Sequence, residues 1–379
     1  MRTGGILQLR ARSEDADQIE AAAQPPQSLT PSMAHPRQST QLQSLAATLV
    51  TCTLLLACTP TRDAVPVAST TPPAAERWCD HLPRAGNAAL PRVRVATDWF
   101  EVYRVATGVF ALVESRQFQE TISYLIVGER GALLFDTGLG VVPIRPVVEE
   151  LTSLPVRVLN SHTHYDHVGG NVEFGDILAR DTPYTRANQR GFPHEELAGE
   201  VAAESFCGAP PPALDTAKFY TRPWKATRTV ADGDTIDLGG RVLRVVAVPG
   251  HTPDAVALLD SARGLLWTGD TYYDAPVWLY VPETDLDAYE RSIDRLTQLA
   301  PSLTRLLPAH NIATAEPTRL AEMKSAIRAV RDGRVRGTVL PPNRVEFRFD
   351  HFAILTSQPL LDGRTGDRSR GGSGLTSWK

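Results

Sequence analysis

The strongest constraint on this chain of 379 residues is one short segment, His162-Thr163-His164-Tyr165-Asp166-His167, which runs into Val168-Gly169-Gly170. Four side chains of metal-ligand type crowd into it, directly after the apolar run Val156–Leu159. Such a run reads as a short buried strand, so the cluster falls on the loop at the strand's end. Imidazoles at i and i+2 on a tight loop reach one divalent ion from one side. A carboxylate and a third imidazole just beyond them face a second ion. Histidine with carboxylate suits Zn, Fe or Mn, and the lack of thiolate argues against a closed structural zinc site. The four cysteines, Cys52, Cys58, Cys79 and Cys207, contain no Cys-x-x-Cys pair that would supply one.

Further segments place one ligand-type side chain each where a predicted strand ends. Pro249-Gly-His251-Thr-Pro-Asp254 follows Arg241–Val248, Thr268-Gly-Asp270 follows Gly264–Trp267, and Pro308-Ala-His310-Asn311 follows Arg305–Leu307. Earlier, Phe135-Asp136-Thr-Gly138 forms a turn after Ala132–Phe135. One such strand end is ordinary; four in one chain point to convergence on a shared centre. His194 lies apart from them and is not expected to be a ligand.

Runs rich in β-branched and aromatic residues predict further strands over Trp99–Val105, Gly108–Val113, Ser123–Val127, Thr235–Leu238 and Ala255–Leu259. Helices are expected over Val141–Leu151, near Glu195–Glu204, over Leu286–Leu299 with Asp285 near its start, and over Thr318–Arg331. Two blocks of strands, each followed by helices, predict an α+β fold with two sheets face to face and helices outside. The irregular stretch near 180–228 leaves room for a cap over the pocket.

The order His-x-His-x-Asp-His, then Pro-Gly-His-Thr-Pro, then Thr-Gly-Asp, then Pro-Ala-His-Asn resembles the metallo-β-lactamase superfamily of dinuclear metallohydrolases, over about Val93–Arg334. The resemblance implies an αββα four-layer sandwich with the metals at one edge between the sheets. It implies that His162, His164 and His251 bind one metal, that Asp166, His167 and His310 bind the second, and that Asp270 bridges them. Asp136 would orient the ligand loop without being a ligand. The implied cofactor is two Zn2+ per chain, with Fe or Mn as alternatives. Two cations about 3.5–4 Å apart hold a bridging hydroxide that attacks a carbonyl carbon. Asp166 would be catalytic, taking a proton and later returning it.

Asp at the bridging position resembles the thioesterase, lactonase and phosphodiesterase branches, since β-lactamases of this fold generally carry Cys or Ser there. The expectation is therefore cleavage of an ester, lactone or thioester, with β-lactam hydrolysis as the alternative. A metal-free binding protein on the same fold is the alternative of another class, and the intact ligand set speaks against it. An oxygen-reducing di-iron enzyme would need a flavodoxin-like domain, which is not seen. Lys324, Arg328, Arg331, Arg334 and Arg336 stand where a glutathione-handling branch holds its substrate, but helix-surface charge of this kind reads as a solvated face. The aromatic stretch Tyr272–Tyr280 is expected to wall a substrate pocket with Tyr272, Tyr273 and Trp278.

Balanced charge, 39 basic against 43 acidic residues, excludes electrostatic nucleic-acid binding as the default and leaves a small-molecule substrate. With 42% hydrophobic residues the chain can bury a real core. Residues 1–58 read as a presequence and signal, with translation expected to start at Met33. The apolar run Leu45–Ala57 is shorter than the roughly 20 residues a membrane span needs. Leu55-Leu56-Ala57-Cys58 resembles the bacterial lipoprotein box, which implies an exported protein anchored to the membrane by lipid at Cys58, facing the periplasm or cell exterior. Cys79 and Cys207 are then expected to form a disulfide. Residues 59–92 read as a Pro/Thr-rich tether, 93–360 as the hydrolase domain, and 361–379 as a disordered tail.

Overall fold

The computed structural model describes residues Arg77–Gly363. The expected presequence, the signal ending at Cys58, most of the tether and nearly all of the tail lie outside the described residues. The first sheet has eight strands in chain order: β1 Arg92–Val93, β2 Glu101–Ala106, β3 Val109–Val113, β4 Ile122–Val127, β5 Ala132–Phe135, β6 Val156–Leu159, β7 Ile177–Ala179 and β8 Arg228–Thr229. Strands β1 to β5 pair antiparallel, and β5 to β8 pair parallel. The second sheet contains β9 Thr235–Asp237, β10 Val242–Ala247, β11 Val256–Asp260 and β12 Leu265–Gly269. After β13 Pro276–Leu279, strand β14 Arg305–Pro308 completes that sheet, parallel to β12. A third sheet joins β13 to the C-terminal strands β15 Thr338–Leu340, β16 Arg344–Arg348 and β17 Ala353–Ser357.

Alternation along the strands sorts side chains into layers, because successive residues point to opposite faces. Leu133 and Phe135 of β5 meet Leu258 of β11, Trp267 of β12 and Leu307 of β14 in a core between the two large sheets. Their neighbours Ala132 and Leu134 face outward, against Val147 and Val148 of the helix Arg145–Leu151. On the far side Ala257, Leu266 and Leu306 pack beneath the helices Leu286–Leu299 and Arg319–Arg331. The result is the expected αββα sandwich. Asp285 caps the first of those two helices, its carboxylate accepting from Ala288 N at 2.8 Å.

Several local expectations differ. Residues 78–90 do not belong to a free tether: Asn87 is buried and accepts from Ala313 N at 2.8 Å, while Arg84 pairs with Glu120. The helix expected near Glu195–Glu204 shrinks to His194–Leu197 and a single 3-10 turn at Ala203–Ser205. The stretch near 180–228 is no separate cap, since Phe192, Leu197, Val201, Phe206 and Trp224 join the core beneath the first sheet. Cys79 and Cys207 both carry free, half-buried thiols. Among the described residues no helix is long and apolar enough to cross a membrane.

Candidate metal centre

Five strand ends of the two large sheets open onto one edge. Asp136 follows β5, the histidine loop follows β6, His251 lies four residues beyond β10, Asp270 follows β12, and His310 follows β14. The turn carrying His251 needs Gly250, whose φ is 143° and whose Cβ would stand 2.3 Å from the Tyr289 Cα. Asp136 itself is left-handed, with φ at 68°, a conformation an Asp holds only where its contacts compensate. Those contacts are direct: one carboxylate oxygen accepts from Ser161 N at 2.6 Å, the other meets His167 Nδ1 at 3.1 Å.

The ligand-type atoms fall into two triads. His162 Nε2, His164 Nδ1 and His251 Nε2 lie 2.9–3.2 Å from one another. Asp166 Oδ2 lies 3.3 Å from His167 Nε2 and 3.6 Å from His310 Nε2. Asp270 stands between them. Its Oδ2 is 3.5 Å from His251 Nε2, and its Oδ1 is 3.4 Å from His167 Nε2 and 3.1 Å from His310 Nε2. All seven residues expected as ligands are thus brought together, and Asp136 sits behind them.

The outer nitrogens explain why the inner ones face inward. His251 Nδ1 donates to the Trp278 carbonyl at 2.7 Å, and His310 Nδ1 donates to the Gln119 carbonyl at 2.7 Å. His164 Nε2 meets the Glu283 carboxylate at 3.1 Å, and His162 Nδ1 meets the Ser161 hydroxyl at 3.0 Å. With those tautomers fixed, the lone pairs of His251 Nε2 and His164 Nδ1 point at each other across 3.1 Å. Such an arrangement calls for a cation between them. Nitrogens about 2.0–2.1 Å from a tetrahedral zinc lie about 3.3 Å apart, close to the spacing seen here. Among the described residues His167 Nε2 and Asp270 Oδ1 are buried without a hydrogen bond, a second sign that the centre is built around an ion.

Electrostatics divides the ligands without following the triads: burial opposes charge on His164, but Glu283 outweighs it and raises that imidazole. Burial pushes His251 down to about 4 and His162 below its usual range. Burial also opposes charge on His167, but Asp166, Asp270 and Asp136 outweigh it and hold that imidazole well above its usual range. Burial would raise Asp166, yet His167 and His310 bring it down to about 2. Glu283 is likewise brought to about 2, by His164 and the Tyr184 hydroxyl against the effect of burial. Two acids behind the second triad go the other way. Burial pushes Glu114 and Glu200 up to about 7.

The residues expected to wall the pocket divide. Tyr272 is fully buried, its ring 5.7 Å from that of Phe352 in the core beneath the two long helices, so it does not face the centre. Tyr273 borders the centre, its ring 4.9 Å from His310, but its hydroxyl accepts from Trp278 N at 3.2 Å. Trp278 supports His251 through its carbonyl, and its half-buried ring lies 5.6 Å from Tyr280. The basic residues of the last long helix face its neighbour: Lys324 and Arg328 pair with Asp294, and Arg331 with Glu290. His194 is not a ligand; its Nδ1 meets the Phe219 carbonyl at 3.0 Å.

Several supports were invisible in the sequence. Glu283 is a lone acid before a helix cap, and nothing in its surroundings marks it. Asp254, by contrast, sits in the quoted turn motif. It accepts from Thr163, between two ligands, at 2.6 Å, and from Thr185 at 3.0 Å.

Fold and centre define a chain that gathers His and Asp side chains able to hold metal ions at one edge between two sheets. The pattern describing the metallo-beta-lactamase superfamily matches residues 120–310, just over half of the chain, and the chain belongs to that superfamily. Among curated relatives, the acyl-coenzyme A thioesterase MBLAC2 of Homo sapiens is 27% identical over 233 residues, covering 57% of this chain and 82% of the relative. A hydroxyacylglutathione hydrolase of Synechococcus sp. is 27% identical over 233 residues, covering 58% of this chain and 79% of the relative. Among solved structures, a metallo-beta-lactamase from Pontibacter korlensis is 20% identical with a TM-score of 0.43, covering 60% of this chain and 99% of that one.

Proposed function

We propose that the chain is a dinuclear zinc hydrolase of acyl thioesters, with carboxylic esters and lactones as neighbouring substrates. The observation that carries the reading is Asp270 placed between two ligand triads, with Oδ2 3.5 Å from His251 Nε2 and both oxygens 3.1–3.2 Å from His310 Nε2. Relatives named as an acyl-coenzyme A thioesterase and a hydroxyacylglutathione hydrolase support the thioester, since hydroxyacylglutathione is itself an acyl thioester. His162, His164 and His251 would hold one ion, Asp166, His167 and His310 the other, with Asp270 shared. Divalent ions bound there supply Lewis acidity and lower the pKa of water towards neutrality.

The chain's own residues do the rest. Asp166 stays ionised at working pH and directs Oδ2 to the imidazoles and to the Thr121 hydroxyl at 3.4 Å. Its Oδ1 is the atom left to take a proton and return it to the leaving group. Asp136 and the Gln119 carbonyl hold His167 and His310 in the tautomers that face inward.

The test is metal analysis of protein beginning near Thr59, with a panel of thioester, ester, lactone and cephalosporin substrates. Thioester turnover that is lost on chelation and restored by zinc is expected. Turnover confined to cephalosporin, or indifferent to chelation, overturns the reading. We further propose export and lipid attachment at Cys58, with Cys79 and Cys207 oxidised to a disulfide there. Intact-mass measurement showing no cleavage before Cys58 contradicts the first, and failure of the folded protein to lose two hydrogens under oxidising conditions contradicts the second.

A further inference from the structure

Glu200 lies in the stretch expected to be a lid, yet it is buried behind the second triad. Its carboxylate gathers three donors. The Tyr165 hydroxyl donates to Oε1 at 2.9 Å, and the side-chain amides of Gln119 and Gln117 donate to Oε2 at 3.1 and 3.4 Å. Gln119 also donates to the Tyr165 hydroxyl at 3.2 Å, closing the network. Gln119 and its loop lead to ligands of the second triad, while Tyr165 stands in the chain between His164 of the first triad and Asp166 of the second. Tyr165 adjoins Asp166 and His167 on the short helix Tyr165–Val168. Gln119 receives His310 Nδ1–H on its backbone carbonyl, and Thr121, two residues on, bridges to His310 and reaches Asp166.

We infer that Glu200 is a positioning residue for the second ion: it locks the loop 117–121 against the histidine helix and so fixes the spacing of Asp166, His167 and His310. This rests on the two-ion reading above. Oε2 faces two amide donors, so a glutamine here must aim its nitrogen at the Tyr165 hydroxyl, which then turns from donor to acceptor and loses its own acceptor. Glu200→Gln preserves shape and inverts one of those contacts. Tyr165→Phe removes a single hydroxyl from the same network.

The experiment is stepwise zinc binding to the metal-free protein in competition with a chromophoric chelator, paired with the visible spectrum of the cobalt-loaded protein. Wild type should take up two ions. In Glu200→Gln the second should bind at least about tenfold more weakly while the first is unchanged, a size expected for supports of metal ligands. The cobalt bands of the three-imidazole site should persist. Tyr165→Phe should shift the second ion in the same direction by less. If both ions bind as in wild type, or both weaken alike, the inference is overturned. Should Glu200→Gln fail to fold, an unchanged second ion in Tyr165→Phe overturns it instead. Wild-type protein that holds two ions but cleaves no thioester sinks the substrate reading and leaves this one standing. Uptake of a single ion by wild type sinks both.

Discussion

The three imidazoles on one side of Asp270 and the carboxylate with two imidazoles on the other use the same chemistry, yet they are held differently. In the first triad His162 and His251 are as buried as the second set, at 1% and 2%, and only His164 and its partner Glu283 open outward, with 15% and 22% of their side chains exposed. In the second, His167, His310 and Asp166 keep 0%, 5% and 7%. The first is propped by a hydroxyl, a surface-facing carboxylate and one carbonyl. The second is enclosed by Asp136, the loop 117–121 and two further buried acids. The open side is where a substrate can arrive, and the closed side is where the fold dictates ligand geometry. Burial in such a site costs stability, and the hydrogen-bonded supports offset that cost.

Changes at Asp270 should break the comparison, because both triads depend on it. Asp270→Ala is expected to reduce thioester turnover to background and lower metal content by elemental analysis. Next comes Asp166→Asn, which should weaken the second ion and, at zinc concentrations that still fill both sites, cut kcat by about 10²–10⁴, as loss of a proton-transfer group does. Full turnover in that variant would remove Asp166 from the chemistry.

Paired changes sharpen the contrast. Glu283→Gln should weaken only the ion of the first triad, and Asp136→Asn only that of the second, each by about 10–100-fold in stepwise metal titration. The smallest effect is on stability. Glu114 accepts from Trp99 Nε1 at 3.0 Å and Leu139 N at 2.8 Å, and burial raises it from 4.5 to about 7. The folded state therefore keeps a proton that the unfolded chain has already released. That stabilisation is complete below about pH 4.5 and is lost as pH rises through about 7. It amounts to roughly 3 kcal/mol, and Glu114→Gln should flatten this part of the pH–stability curve measured by urea unfolding. Glu283 works the opposite way: its contribution is present at neutral pH and lost only as pH falls towards about 2.

Legibility followed the physics of local pattern. Strand β5, strand β6 and the helix Leu286–Leu299 match their sequence signals residue for residue, because alternation and helical stripes are local properties. The seven ligand-type residues were readable because each ends a strand and carries an unusual side chain. Strands β15 to β17 were not, and β13 was hidden within the aromatic stretch. That third sheet is set by pairing of β13 with β17 across more than seventy residues. The same distance effect misplaced Tyr272, whose partner Phe352 lies far along the chain. Supports such as Glu283 and Glu200 carry no local mark. An acid in a loop looks the same whether it meets water or a ligand imidazole.

The number and placement of bound ions decide whether this edge is a dinuclear centre. Anomalous diffraction from zinc-loaded crystals should show two peaks, one among His162, His164 and His251 and one among Asp166, His167 and His310, with Asp270 reaching both. A single peak, or none after reconstitution, would contradict a dinuclear centre.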